Sequence, residues 1–180
     1  MKHYYIKILR GCIALVVTIA GLYIGQALWQ SYAVDLPLDK ALKVIDGVET
    51  VTWDNGENIN DTVNINILLN HTNNIKASYD EISNKIEETL KDRQYELNIQ
   101  DNRSSELQQV YHDIHFYIEK AIVDGDFPLL DQKAQEVAAA AGAEVQVYVD
   151  ADNIYIQLAK DDSALYSITA RPGRKIGGNL

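Results

Sequence analysis

One uninterrupted apolar segment near the amino terminus constrains this chain more than any other feature. No charged residue occurs in the nineteen positions from Gly11 to Trp29. A helix of that length, rising about 1.5 Å per residue, nearly matches the roughly 30 Å hydrocarbon core of a bilayer. Aromatic residues that suit the two membrane interfaces lie on both sides of the segment, namely Tyr4, Tyr5, Trp29 and Tyr32. The pattern predicts a single transmembrane helix over residues 11–29.

Charge predicts the orientation of this segment. Lys2, Lys7 and Arg10 precede it, whereas all 26 acidic residues lie at Asp35 or beyond. Positive flanks stay in the cytoplasm, so residues 1–10 are expected there, and the part of the chain after residue 29 is expected outside the cell membrane. The part after the segment holds only 13 of the 16 basic residues. Such an acidic surface disfavours nucleic acid and anionic lipid as partners.

Two features of the segment leave alternatives open. Ser31-Tyr32-Ala33 has small residues at the spacing of a signal-peptidase site, so cleavage after Ala33 and secretion compete with a retained signal anchor. The apolar run exceeds the roughly 7 to 15 residues of a signal peptide, which favours retention. Gly21 and Gly25 form a Gly-x-x-x-Gly pair that predicts helix packing in the membrane.

Cysteine usage favours a bacterial envelope over a eukaryotic secreted domain. The only cysteine, Cys12, lies inside the apolar segment. The exported part therefore cannot form a disulfide, although small secreted domains commonly depend on them.

Hydrophobic periodicity predicts an α-β-β-α-β order in the first half of the exported domain, residues 38–101. A linker over residues 30–37 leads to a helix from Leu38 to Ile45. Strands follow at 48–54 and 62–70, and Asn55-Gly56 between them is a strong turn signal. Ser78-Tyr-Asp-Glu81 matches a capping box, which predicts the start of an amphipathic helix. A third strand is predicted around Leu97.

The second half, residues 104–171, is predicted to hold two helices followed by three strands. The helices run from Ser104 to Val123 and from Asp126 towards Gly142, and the strands lie near 145–149, 154–158 and 165–170. Residues 172–180 form a basic, flexible tail. The fold class is therefore α+β, with small antiparallel or mixed sheets packed by amphipathic helices. A helix, a glycine and a hairpin recur in both halves, which is the pattern of two related α-β-β units and also the simplest local order of any α+β protein.

Three stretches of the exported part resemble uncharacterised single-pass membrane proteins of Gram-positive bacteria. They are Tyr111-His-Asp-Ile-His-Phe-Tyr117, Gly125-Asp-Phe127, and Val147-Tyr-Val-Asp150 with Asn153-Ile-Tyr-Ile-Gln-Leu158. The resemblance implies a protein of the bacterial cell envelope and implies no activity.

The best cluster of chemical side chains lies on the long helix of the second half. His112, His115 and Glu119 fall on one helical face, the spacing a metal site requires. That face points away from the apolar stripe of the same helix, which favours a solvated surface over a metal site. Phe116 lies on it too, so the four residues predict a partner contact that responds to pH.

Other signatures of chemistry fail on inspection of the sequence. Asp150, Asp152 and Asp161 occupy positions of a calcium loop, but Ile154 and Tyr155 stand where a ligand and a glycine are needed. No nucleophile elbow or phosphate-binding glycine loop occurs. We therefore expect a non-catalytic protein-interaction or assembly domain that needs no metal and no cofactor and binds envelope proteins or itself. The alternative is a sensor or modulator that binds a small ligand or cation between its halves.

Overall fold

The computed structural model describes residues 15–22, 36–54, 62–91 and 93–171. Residues 15–22 form helix α1, whose large apolar side chains are all more than half exposed, from 51% at Ile19 to 69% at Leu22. None of the helices within the described ranges is both long and apolar enough to cross a membrane. Residues 1–10, most of 11–29, the Asn55-Gly56 turn and the tail 172–180 lie outside the described residues.

The first half contains a mixed three-stranded sheet in the order β1-β2-β3, called the first sheet. Its elements are α2 (Leu36–Leu42), β1 (Val48–Asp54), β2 (Val63–Leu69), α3 (Ile75–Leu90) and β3 (Tyr95–Gln100). β1 and β2 pair antiparallel, whereas β2 and β3 pair parallel. Parallel neighbours need a long crossover connection, and α3 supplies it.

The second half contains an antiparallel sheet in the order β4-β5-β6, called the second sheet. Its elements are α4 (Ser105–Asp124), α5 (Phe127–Ala140), β4 (Glu144–Val149), β5 (Asn153–Lys160) and β6 (Ser163–Ala170). Ser104 caps the start of α4, and Gly125 ends it in the left-handed conformation, with a φ of 75°. These boundaries agree with the predicted elements, and the coarse α+β class is confirmed.

The second sheet lies between two hydrophobic cores. One face packs Ile154, Ile156 and Leu158 against α4 and α5. The other face packs Tyr155 and Tyr166 into the core formed by α2, α3 and the first sheet. The two halves therefore share one folded body.

Three predicted boundaries were wrong, and one is the end of α2, which lies at Leu42, three residues before the predicted Ile45. Helix α3 begins at Ile75, where the Asn74 side chain accepts a hydrogen bond from the Ala77 N–H, so Ser78 is not its cap. Ser78 is instead buried, and its hydroxyl donates to the Asp46 carbonyl. Helix α2 begins at Leu36, two residues inside the predicted linker.

Candidate functional site

The solvent-facing side of α4 carries the candidate site. The opposite side of this helix buries Leu107, Val110, Ile114, Ile118 and Ala121. His112, Phe116, Glu119 and Val123 follow one another at intervals of four, three and four residues, so they form one line along the helix, called the outer ridge. All four are exposed, and the two apolar members reach 65% at Phe116 and 83% at Val123.

Two histidine rings contact Phe116. The His112 ring meets it edge-on at a centroid distance of 5.5 Å, and the His115 ring lies 6.4 Å away. Tyr111 in turn lies 5.9 Å from His115, and its hydroxyl accepts a hydrogen bond of 2.8 Å from Ser167 on β6. The exposed phenyl ring thus belongs to a cluster that is tied to the second sheet. A side chain that already contacts its neighbours loses less side-chain entropy when it binds a partner.

His115 occupies a different position from the other three predicted residues. Its side chain is 43% exposed and lies on the flank of α4, near Tyr111. Its Nδ1 is buried without a hydrogen-bond partner, while Nε2 lies 3.7 Å from the Glu119 carboxylate. His115 and Glu119 thus form a contact on the exposed side of α4.

The described part of the chain contains no group of three His, Cys, Asp or Glu side chains close enough to hold a metal ion. The charges beside the outer ridge are mostly carboxylates. Asp113 accepts a hydrogen bond from Gln109 at 3.0 Å, and Lys120 pairs with Asp124 on its own helix. The ridge therefore combines apolar surface with an acidic border.

A shallow apolar groove of about 560 Å³ adjoins the ridge, between α4 and α5. Its apolar lining residues are Val110, Val137, Ala140 and Ala141. Lys160 closes one side, because its ammonium donates to Glu106 at 2.6 Å and to the Ala141 carbonyl at 3.0 Å. This groove was not predicted from the sequence, although the alanine cluster at the end of α5 was its visible signal.

Polar side chains also converge between the two halves, where the alternative prediction placed a ligand. Gln157 is 8% exposed, donates to the Thr72 carbonyl at 2.7 Å and accepts from the Ile75 N–H at 2.9 Å. The Tyr166 hydroxyl accepts from the Thr72 N–H at 3.1 Å. These groups satisfy one another, so they hold the halves together.

Asp46 also binds the loop between β2 and α3, which contains Thr72 and Asn73. Its carboxylate accepts the Asn73 N–H at 2.8 Å and the Thr72 hydroxyl at 3.2 Å. The backbone hydrogen bond from Asn73 is the main cause that lowers the pKa of Asp46 below its usual range. The charged form of Asp46 is thus the one that stabilises the loop.

Asp150 of the rejected calcium loop accepts from the N–H groups of Asp152 and Asn153, as a turn residue does. Its carboxylate also accepts from the Tyr155 hydroxyl at 2.8 Å and lies 3.5 Å from the Lys76 ammonium. Gly21 has open space around it in α1, whereas Gly25 lies outside the described residues.

Comparison with known proteins found no relative of this chain. No protein-family model, no curated protein and no solved structure matches the chain.

Proposed function

We propose that this chain is a membrane-anchored, extracytoplasmic protein-interaction or assembly domain without catalytic activity. Its outer ridge contacts a partner protein of the cell envelope. The observation that carries the proposal is Phe116, which is 65% exposed on a helix whose other side is already buried. Large aromatic side chains supply much of the binding energy at protein interfaces.

The acidic border of the ridge defines the partner further. Asp113 and Glu119 flank the aromatic cluster, and the exported part as a whole is strongly acidic. A surface of this charge repels anionic headgroups and attracts basic side chains. The expected partner is a protein that offers an apolar pocket for Phe116 with lysine or arginine at its rim.

Co-purification from native membranes tests the ridge. Phe116→Ala should reduce recovery of crosslinked partner, because it removes the aromatic anchor and leaves the core of α4 intact. Val44→Ala is the matched control, since Val44 is 81% exposed in the first half of the domain. Equal recovery with both variants would contradict an interface at the ridge.

A pH change provides a second test of the same surface. Histidine is the residue type best suited to respond to physiological changes of pH, so a contact made through His112 and His115 is expected to be pH-dependent. Recovery of the partner should differ between about pH 7.5 and pH 5.5 in the wild type and become constant when both are changed to glutamine. A pH effect that persists in the double variant would assign it to other groups.

The membrane anchor over residues 11–29 is part of the proposal. Its support is the apolar segment itself, the basic residues before it, and the exposed apolar side chains of α1. Membrane fractionation with externally added protease tests it. An anchored, outward-facing domain should sediment with membranes and be digested in intact protoplasts, whereas a soluble product lacking the first 33 residues would support cleavage after Ala33.

We further propose that the two halves are related α-β-β units. In each half a glycine with positive φ separates a helix from an antiparallel hairpin, with φ of 81° at Gly47 and 65° at Gly142. The third strands differ, because β3 joins parallel and β6 antiparallel. An experimental structure in which the two glycines fail to superpose when the hairpins are aligned would argue against common origin.

A further inference from the structure

The two sheets face each other through their edge strands, β3 and β6. A space of about 370 Å³ separates these strands. It is lined by Leu97, Asn98 and Ile99 of β3 and by Tyr166, Ile168 and Ala170 of β6, with Tyr79 and Asn153 completing it. No backbone hydrogen bond joins the two strands within the described ranges.

The backbone of β6 points unused hydrogen-bonding groups into this space. The N–H groups of Ala164 and Tyr166 donate to side chains outside the second sheet. The backbone N–H and C=O groups of the even-numbered residues of β6 therefore point away from β5. Pairing of β5 with β6 is regular through Asn153 and Ala170. In an antiparallel pair the direction alternates strictly, so the N–H and C=O of Ile168 also point away from β5.

The backbone of β3 does the same from the opposite side. The Val63 N–H donates to the Gln94 carbonyl, and Val63 is the register partner of Tyr95. In a parallel pair this pattern turns the even-numbered residues of β3 towards β2. The N–H and C=O groups of Leu97 and Ile99 therefore point towards the space beside Ile168.

Side chains already fill one end of this space. The Asp101 carboxylate accepts the Tyr166 N–H and the Asn102 side-chain oxygen accepts the Ala164 N–H, both at 2.8 Å. The Asp101 side chain is only 1% exposed, and Arg103 holds it through two bonds of 2.7 Å. These side chains occupy the places that a neighbouring strand would take, whereas the end near Leu97 and Ile168 has no such cap.

We propose that the open end accepts an extended peptide segment of a partner protein as an added strand between β3 and β6. An unpaired strand edge is a template for such pairing, and here the added strand would be hydrogen-bonded on both sides. This contact lies on different elements from the outer ridge and does not depend on it.

The surroundings specify the chemistry of that segment. Leu97, Ile99 and Ile168 pack their side chains towards the first core, whereas Asn98 on the other face is exposed. The added strand should therefore alternate apolar residues, facing the core, with polar ones. Glu96 is exposed on β3, and Asp152 is exposed beside the end of β6, where its carbonyl binds the Arg171 N–H. These carboxylates favour basic residues at the ends of the segment.

A synthetic peptide of alternating valine and threonine with a lysine at each end is the probe. It should bind the full chain in detergent and protect the amides of Ile168 and Leu97 from hydrogen exchange. Ile168→Pro should weaken binding by about tenfold, since it removes one hydrogen bond of the added strand. Proline is tolerated at outward-facing positions of edge strands, so the second sheet should persist.

Peptide binding is also measured for two control variants and for a chain that lacks residues 172–180. Ile168→Val keeps the N–H and should bind as the wild type does, and Phe116→Ala should bind normally, which separates this contact from the proposed function. If the proline variant unfolds, amide protection in the wild type decides the question. Absence of binding, or equal binding to a folded Ile168→Pro variant, would overturn the proposal. Binding only after removal of residues 172–180 would also overturn it, because the tail of the chain would then be the occupant.

Discussion

The central strands of the two sheets contain similar residues, but β2 is buried on one face and β5 on both. On β2 of the first sheet, buried Val63, Ile65, Ile67 and Leu69 alternate with exposed or half-buried residues, because helices cover only one face. On β5 of the second sheet, five consecutive residues from Ile154 to Leu158 are buried, because both faces are covered. A strand of this second kind must also accommodate any polar residue it carries.

Polar side chains on the two sheets illustrate the consequence. Asn66 and Asn98 form a 3.0 Å hydrogen bond on the open face of the first sheet, where water can replace either partner. Gln157 on the second sheet bonds to the Thr72 carbonyl in the loop between β2 and α3 and to the Ile75 N–H at the start of α3, away from water. The same amide chemistry is nearly neutral in the first place and structurally essential in the second.

The largest expected loss of stability comes from the face of β5 that packs on α4 and α5. Leu158→Ala should lower the free energy of unfolding by about 4 kcal/mol, because Leu158 is fully buried and its truncation leaves a cavity. Denaturant unfolding of the full chain in detergent measures it. A loss below about 1 kcal/mol would show that this face is not closely packed.

On the other face of β5, Gln157→Ala should cost about 3 kcal/mol. The change leaves the Thr72 carbonyl and the Ile75 N–H buried without partners, at about 1 to 3 kcal/mol each. The same unfolding measurement applies. If Gln157→Leu restores stability, the site tolerates an apolar contact and the amide is not required for joining the halves.

Acid should weaken the hydrogen bonds that hold the loop between β2 and α3, through which the first half contacts the second. The pKa of Asp46 is lowered in the folded chain, so its contribution is present above the unfolded value of about 4 and is lost as pH falls through the lower folded value. Asp46→Asn should cost about 1 kcal/mol at neutral pH, because the site is exposed and screened. The difference from the wild type should shrink on acidification. A constant difference down to about pH 2 would contradict the assignment.

The smallest effect is expected on the open face of the first sheet. Asn66→Ala should change the free energy of unfolding by less than about 0.5 kcal/mol, as surface substitutions usually do. Unfolding curves recorded beside those of Gln157→Ala make the comparison direct. A loss approaching that of Gln157→Ala would indicate that something covers this face.

Most elements could be predicted because each one encodes its own periodicity and ends. Ser104 and Gly125 bound α4, and the alternation of β2 appears directly in its sequence. The predicted start of α3 was wrong because either Asn74 or Ser78 could cap a helix with the same apolar periodicity. Only the burial of Ser78 against Asp46 decides between them.

The candidate site could be predicted in part. His112, Phe116 and Glu119 were located by their opposition to the apolar stripe of the same helix, which is a local property. The ring that lies beside His115 depends on the tertiary structure, because Tyr111 is hydrogen-bonded to Ser167 of β6. The groove beside the ridge depends on how α5 crosses α4, and spacing within one helix carries no information about that crossing.

The sequence alone determined the apolar segment, the charge asymmetry around it, the order of helices and strands, and the outward face of α4. Each of these follows from neighbouring residues, through hydropathy, capping and periodicity. The tertiary structure alone decided that the second sheet is buried on both faces and that β3 and β6 border one space. Those properties depend on pairing between residues distant in the chain, such as Thr72 with Gln157 and Asp101 with Tyr166, and local patterns do not specify such pairings.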